Sequence, residues 1–166
     1  MSMSPAAPAT VNGWTILLHP LFRAQVEELA TTVEAIRRKD PVGYRAKNAS
    51  KRLAAIGKLA FEVIPRDPSA PEFRQGDTLG PEHRHWFRAK FFQQYRLFFR
   101  FDARSRVIIY AWVNDEQSKR AYGSKSDAYA TFTKMLGRNK PPDDWKQLLA
   151  EASPPRRKVP SPAKKR

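Results

Sequence analysis

Four basic residues, Arg88, Lys90, Arg96 and Arg100, alternate with apolar residues in the segment WFRAKFFQQYRLFFRF. All four occupy even positions, and no acidic residue interrupts the segment. Arginine offers a planar fork of donors to phosphate, and lysine offers a compact point charge. The pattern therefore predicts an anion-binding surface. The alternative is a solvated sheet face on which long basic side chains cover apolar ground.

The same alternation predicts the register of a β-hairpin. A two-residue turn would put the apolar sets of the two strands on opposite faces. A connection of three or five residues, such as 92–94 with a bulge, keeps both sets on one face. With the connection over 92–94, Lys90 lies opposite Arg96 and Arg88 lies opposite Phe98. Two cations would then lie side by side, an arrangement that costs stability unless an anion offsets it.

Two amphipathic helices are predicted ahead of the hairpin. Apolar residues recur at steps of three and four from Phe22 to about Arg38, and Asp40-Pro41 ends this stripe. A second stripe runs over 49–65. Together they predict an antiparallel helical hairpin that packs on a sheet, to which GWTILLHP (13–20) contributes a short strand.

The rest of the chain predicts an α+β domain. Three segments are expected as strands: 86–92, 95–101 and 107–113. The unbroken apolar run of the third predicts that both its faces are covered. A long ordered loop over 65–84, anchored by Phe73 and Leu79, precedes them. A helix over 127–137 and a last helix from 141 onward follow them.

The composition indicates a basic protein without cysteine. The 166 residues have a formal net charge of +15. Six basic residues lie from Pro154 onward, and without them the rest of the chain has a net charge of +9. Such an excess of positive charge favours binding to a polyanion, of which nucleic acid is the first candidate. The alternatives are a charge that serves only solubility, or an acidic protein partner. No run is long and apolar enough to span a membrane, so we expect a cytoplasmic protein.

Composition shifts also divide the chain. We expect a flexible arm over 1–10, one domain over 11–152 and a disordered basic tail over 153–166. The absence of cysteine excludes a disulfide framework and a thiolate metal site.

A series of motifs runs from about Val11 to Leu149: VNGW, HPLF, KDP, FRQGDTLG, RAKFFQQYRLFFRF, VIIYAWVNDE, RAYGSKSDAY, KML and PPDDW. Through these motifs the chain resembles the YhaV family of ribonuclease toxins, of PrlF-YhaV toxin-antitoxin systems. More distantly it resembles the RelE/ParE toxin superfamily.

The resemblance implies a RelE-like α+β fold, in which an N-terminal antiparallel helical hairpin packs on a small, mostly antiparallel sheet and C-terminal helices follow. It implies cleavage of messenger RNA, on or off the ribosome, with neither a metal nor another cofactor. It also implies a PrlF-like antitoxin in the bacterial cytoplasm, with operator DNA contacted only through the antitoxin complex.

The resemblance assigns roles by position. Arg88 and Lys90 match the catalytic basic strand of the superfamily, Arg96 matches the arginine after its tyrosine, and Tyr122 approximates its late tyrosine. A ribonuclease can use the 2'-hydroxyl of RNA as nucleophile, so the protein must move two protons and neutralise phosphate charge. The arginines suit the second task, and Lys90 is a candidate for proton exchange.

The end of the third strand departs from the superfamily pattern. Where RelE-like enzymes have a basic residue, this chain has Asn114, Asp115 and Glu116, so that role could pass to Arg120. Either acid could accept the 2'-proton while Asn114 orients the phosphate. The alternative is a capped strand end whose acids pair with Arg120 or Lys119.

Further candidate RNA contacts are Arg100, Asn114, His85, Trp86 and Lys119. Exposed aromatic rings such as those of Trp86 or Phe92 could stack on nucleotides, although core packing is the alternative. His83 and His85 could act as acid and base, but no carboxylate or cysteine lies at ligand spacing. No metal site is therefore predicted.

Three functions remain open on the sequence alone. The first is an endoribonuclease toxin. The second is a module that binds RNA, the ribosome or DNA without cutting, and the third is a ParE-like topoisomerase inhibitor. The presence of Arg88, Lys90, Arg96 and Tyr122 favours the first.

Deletion of the tail from Pro154 onward is expected to weaken RNA binding and to flatten its salt dependence. Its six basic residues attract phosphate through a screened field, and each contact on single-stranded RNA contributes a slope of roughly 0.7. Affinity measured across a salt series tests this, and cleavage by bound enzyme should survive. A truncated protein that binds normally but cannot cut would place catalytic groups in the tail.

Overall fold

The computed structural model describes residues 8–115 and 127–154. Five strands form one sheet in the order β1-β2-β5-β4-β3. They are β1 (Ala9–Val11), β2 (Trp14–Leu18), β3 (Phe87–Phe91), β4 (Tyr95–Asp102) and β5 (Val107–Val113). Only the β2–β5 pairing is parallel, so the expected mostly antiparallel sheet is confirmed. β1 was not predicted as a strand, and its first two residues fall in the segment expected to be a flexible arm.

Four helices are described with this sheet, and the α+β class is confirmed. They are α1 (Pro20–Lys39), α2 (Asn48–Lys58), α3 (Asp127–Gly137) and α4 (Trp145–Ala152). α1 begins where the His19 side chain accepts from the Leu21 amide and Pro20 takes the first helical position. α4 begins four residues later than expected, because the Asp144 carboxylate caps it by accepting from the Gln147 amide. None of the described helices could cross a membrane.

The hairpin has the predicted register. Lys90 pairs with Arg96 and Arg88 pairs with Phe98 across a three-residue connection. Phe92 and Gln93 in this connection adopt left-handed backbone angles, with φ of 48° and 64°. Two such residues in succession reverse the chain in the sense that matches strand twist.

The sheet separates two apolar cores. The odd face of the hairpin packs with α1 and α2, and this core includes Phe22, Ile56 and Phe99. The other face packs with α3 and α4, through residues such as Phe98 and Phe132. β5 is therefore covered on both faces, as its sequence predicts. A β-bulge in the β4–β5 ladder lets adjacent residues of β5 enter the second core.

Most of the even face of the hairpin is covered instead of exposed, with Lys90 as an exposed exception. Phe98 has no exposed surface, and its ring stacks on that of Phe132 at 4.3 Å between centroids. The long loop before β3 is anchored as predicted, because Phe73 and Leu79 are buried.

The helical segment that contains α2 ends in an unusual way. α2 continues without a break into a π turn, Leu59–Val63, and a last α turn, Ile64–Arg66. In the π turn the Ile64 amide donates to the Leu59 carbonyl, five residues back. The next acceptor in this register is the carbonyl of Ala60, which would need an amide hydrogen that Pro65 lacks. The buried hydroxyl of Tyr110 donates to this carbonyl instead, at 2.6 Å.

We expect Tyr110→Phe to lower the free energy of unfolding by about 1–3 kcal/mol, because it leaves the carbonyl of Ala60 buried without a donor. Pro65→Ala supplies an amide hydrogen five residues after Ala60 and should reduce this loss. A double-mutant cycle of these two substitutions, measured by urea denaturation, isolates the coupling. Additive effects would mean that Tyr110 does not substitute for the missing amide.

Candidate active site

Two arginines of the hairpin meet at one tyrosine hydroxyl. The Nε atoms of Arg88 and Arg96 both donate to Tyr129 Oη, at 2.9 Å and 3.0 Å. Arg88 projects from the edge strand β3 and Arg96 from β4, while Tyr129 projects from α3, which covers this face. The arrangement fixes all three side chains at one place.

Both guanidinium groups are buried. Arg88 is 8% exposed and Arg96 is 4% exposed, so the expectation that they are solvated cations is wrong. Arg88 also donates to the Glu72 carbonyl at 2.9 Å, and Arg96 donates to the Gln93 carbonyl at 2.7 Å. No carboxylate forms an ion pair with either arginine within residues 8–115 and 127–154. Two positive charges are thus held where the dielectric constant is low and their field on an anion is strong.

Lys90 differs from its two basic neighbours because it is exposed. It lies on β3 at the edge of the sheet, opposite Arg96. Phe92, at the tip of the same hairpin, is 51% exposed. Core packing therefore accounts for only part of its surface, and stacking of its ring on a nucleotide stays a prediction.

Asn114 holds the end of the hairpin. Its Oδ1 accepts from the Arg96 amide at 2.7 Å, and its Nδ2 donates to the Gln94 carbonyl at 2.9 Å. The residue is 1% exposed, so its amide serves backbone groups and presents little surface to a phosphate. Asp115 follows directly and is exposed, at the same end of the sheet as Arg96.

The remaining described candidates converge on Asp143. Trp86 is fully buried and donates to Asp143 Oδ1 at 2.8 Å, so it is no stacking platform. His85 Nε2 lies 2.8 Å from the same oxygen. Arg100 donates to the backbone carbonyl of Asp143, and its guanidinium contacts the rings of Trp86 and Trp145.

The contacts around Asp143 shift the pKa values of Arg100 and of Asp143 itself. Burial lowers the pKa of Arg100, although the charges of Asp143 and Asp144 oppose that effect. Partial burial would raise the pKa of Asp143, but hydrogen bonds from Trp86 and His85 outweigh it and hold this pKa below its usual value. Asp143 is therefore an anion that several donors stabilise.

Four predicted site residues lie outside the described residues: Glu116, Lys119, Arg120 and Tyr122. Conversely, sequence reasoning missed Tyr129 and Asp143. Tyr129 lies within the helix predicted over 127–137, and the available signal was that a buried tyrosine hydroxyl needs a partner. The expectation that the two loop histidines have no carboxylate companion is wrong, because Asp143 contacts both.

A family model described as a toxin with endonuclease activity, of a toxin-antitoxin system, matches residues 16–153. The chain belongs to this YhaV toxin family. Toxin YhaV of Escherichia coli O6:H1 is 46% identical over 146 residues, which cover 87% of this chain and 95% of the relative. Ribonuclease toxin YhaV of Escherichia coli K12 is 45% identical over the same shares of both chains. No solved structure gave a significant match.

As a member of the YhaV family, this chain is a toxin with endonuclease activity of a toxin-antitoxin system. Its basic hairpin lies within the matched residues, and so do Tyr129 and Asp143. The sequence thus identifies the family and the hairpin, whereas the structure adds the burial of two arginines beneath α3.

We expect Arg88→Ala and Arg96→Ala each to lower the free energy of unfolding by about 1.5–3 kcal/mol, because each removes a buried charged donor from Tyr129. Lys90→Ala is the matched control on the exposed part of the same strand pair and should stay within about 0.5 kcal/mol. Chemical denaturation of the three variants measures this. Equal stability of all three would contradict the burial of the arginines.

Proposed function

We propose that this toxin is an endoribonuclease that cleaves messenger RNA by attack of a ribose 2'-hydroxyl on the adjacent phosphate, with no metal ion in the reaction. The observation that carries the proposal is the register of the hairpin. It places exposed Lys90 opposite Arg96, and Asn114 binds the amide of Arg96, so Asp115 lies at the same end of the sheet. An exposed cation and an exposed carboxylate thus lie at the same end of the sheet.

The reaction divides among these residues. A carboxylate, Asp115 or Glu116, accepts the 2'-proton as the 2'-oxygen forms a bond to phosphorus. The bond from phosphorus to the 5'-oxygen breaks, and Lys90 or Tyr122 gives a proton to that leaving oxygen. The products are a 2',3'-cyclic phosphate and a 5'-hydroxyl. The nucleophile belongs to the substrate, so no activated water is needed.

The two buried arginines have a different task from Lys90. Arg88 and Arg96 supply a fixed positive field at the developing phosphorane and need no reorganisation during the reaction, because Tyr129 already holds them. Arg120 could add a donor from the segment after Asp115. The net charge of +15 draws RNA to this surface.

Partners follow from the toxin family. The antitoxin is proposed to be a PrlF-like protein, through which the complex contacts operator DNA. The substrate is messenger RNA, either free or on the ribosome, in the bacterial cytoplasm. His85, Trp86, Arg100, Asn114 and Lys119 were candidate RNA contacts, and among the described members of this group burial favours structural roles for Trp86 and Asn114.

A second candidate function is an RNA-binding module that does not cut. The burial of Arg88 and Arg96 favours it, since Lys90 is left as the exposed basic residue of the described strand pair. Binding without cleavage by folded protein would support this alternative.

We expect purified, antitoxin-free protein to cut messenger RNA in the presence of EDTA, and Lys90→Ala to cut about 100-fold more slowly with little change in RNA affinity. The reason is that Lys90 acts on charge or protons that develop in the transition state. Single-turnover cleavage with mapped RNA ends, and a separate binding assay, measure the two effects.

Lys134→Ala is the matched control, because Lys134 is an exposed lysine on α3 with no role in the proposed reaction. It should cut at the wild-type rate. If wild-type protein is inactive in EDTA, metal independence is wrong. If Lys90→Ala cuts normally, the assignment of Lys90 fails while the endonuclease remains.

A further inference from the structure

Three potential metal ligands meet at the other end of the hairpin from Lys90. His83 Nδ1 lies 3.0 Å from Asp143 Oδ1, and His85 Nε2 lies 2.8 Å from the same oxygen. The ligand atoms of the three residues all lie within 4.8 Å of one another. His83 and His85 come just before β3, whereas Asp143 comes just before α4.

We propose that His83, His85 and Asp143 bind a divalent transition-metal ion of the Zn²⁺ type. Two imidazole nitrogens and one carboxylate oxygen are ligands that Zn²⁺ prefers, at about 2.0–2.2 Å each. In a tetrahedral site, adjacent ligands at such lengths are about 3.3–3.6 Å apart. The two nitrogen–oxygen separations of 3.0 Å and 2.8 Å therefore need to open by roughly half an ångström. The histidine nitrogens, which lie within 4.8 Å of each other, need to reach the same spacing.

The residues behind these ligands are already fixed. The buried indole of Trp86 donates to the Asp143 carboxylate at 2.8 Å. Gln75, which is 4% exposed, donates to the backbone carbonyl of His83 at 2.8 Å. Hydrogen bonds of this kind orient metal ligands before the ion arrives, and their loss typically costs about 10–100-fold in affinity.

The local charge favours a cation. Asp143 and Asp144 carry two negative charges, and Arg100 is the cation on which both of them act. The neighbouring Arg84 is directed to Asp77, with which it forms an ion pair at 2.6 Å.

The site is also open to solvent. The side chains of His83, His85 and Asp143 are 16%, 37% and 37% exposed. Three protein ligands leave a fourth coordination position for water or another ligand. A bound ion would join the loop before β3 to the turn before α4, and so lock the C-terminal helix to the hairpin.

This site lies apart from the proposed catalytic groups. Phe87 and Lys90 are three residues apart along β3, which corresponds to about 10 Å at 3.3 Å per residue. The ion therefore has a structural effect, and metal-independent cleavage at the other end of the hairpin is compatible with it.

The test uses the full chain without an affinity tag, treated with chelator and titrated with ZnCl₂ by calorimetry. We expect one ion per chain and a rise in melting temperature with added Zn²⁺. His85→Ala and Asp143→Asn should each weaken Zn²⁺ binding by at least about tenfold. A Co²⁺ titration, followed by its visible absorption, should show the same loss in both variants.

Asp144→Asn is the matched control, since asparagine caps a helix as well as aspartate does and Asp144 supplies no ligand. It should retain binding within a few fold. Circular dichroism shows whether each variant is folded, and His85→Gln replaces any alanine variant that is not. Absence of saturable Zn²⁺ binding to folded wild-type protein, or unchanged affinity in folded His85 variants, would overturn the site and leave a hydrogen-bonded clamp.

Discussion

The phenolic oxygen of Tyr129 joins the β3–β4 hairpin to helix α3. It accepts from Arg88 and Arg96, which lie on neighbouring strands, and it belongs to a helix on the opposite side of the second core. A buried guanidinium is costly without partners, and a buried phenol also needs one. Each group therefore satisfies the other, and the basic hairpin can be covered by helices while it keeps its charge. Loss of this oxygen would leave two buried cations with fewer acceptors.

The hairpin was predictable because its constraints are local. Strand alternation has a period of two, so the requirement that Leu97 and Phe99 face the same core as Ala89 allows only an odd loop length. The central strand β5 was equally predictable, because an unbroken apolar run needs cover on both faces. Apolar spacing predicted the first helix close to its observed bounds, and Gly137 marked the end of α3, whereas α4 begins at Trp145 and not at 141.

Other features depend on contacts that alternation cannot encode. From the sequence of the hairpin alone, its even face is expected to be exposed. The helices that cover this face, α3 and α4, lie much later in the chain, in residues 127–152. Asp143 meets His83 and His85 across 60 and 58 residues, and no spacing rule connects them. The π turn was missed because its cause is a missing hydrogen at Pro65 that a distant tyrosine offsets. β1 was missed because it is a short strand at the sheet edge, with little burial to produce a pattern.

The parallel pairing of β2 with β5 ties folding to the order of synthesis. Thr15 pairs with Val107, so a ribosome must make most of the chain before the centre of the sheet can close. The acceptor for the two arginines comes later still, on α3. A nascent or prematurely terminated chain thus has its basic hairpin without the layer that holds it. Translation from the N-terminus therefore delays the covering of the hairpin until α3 has been made.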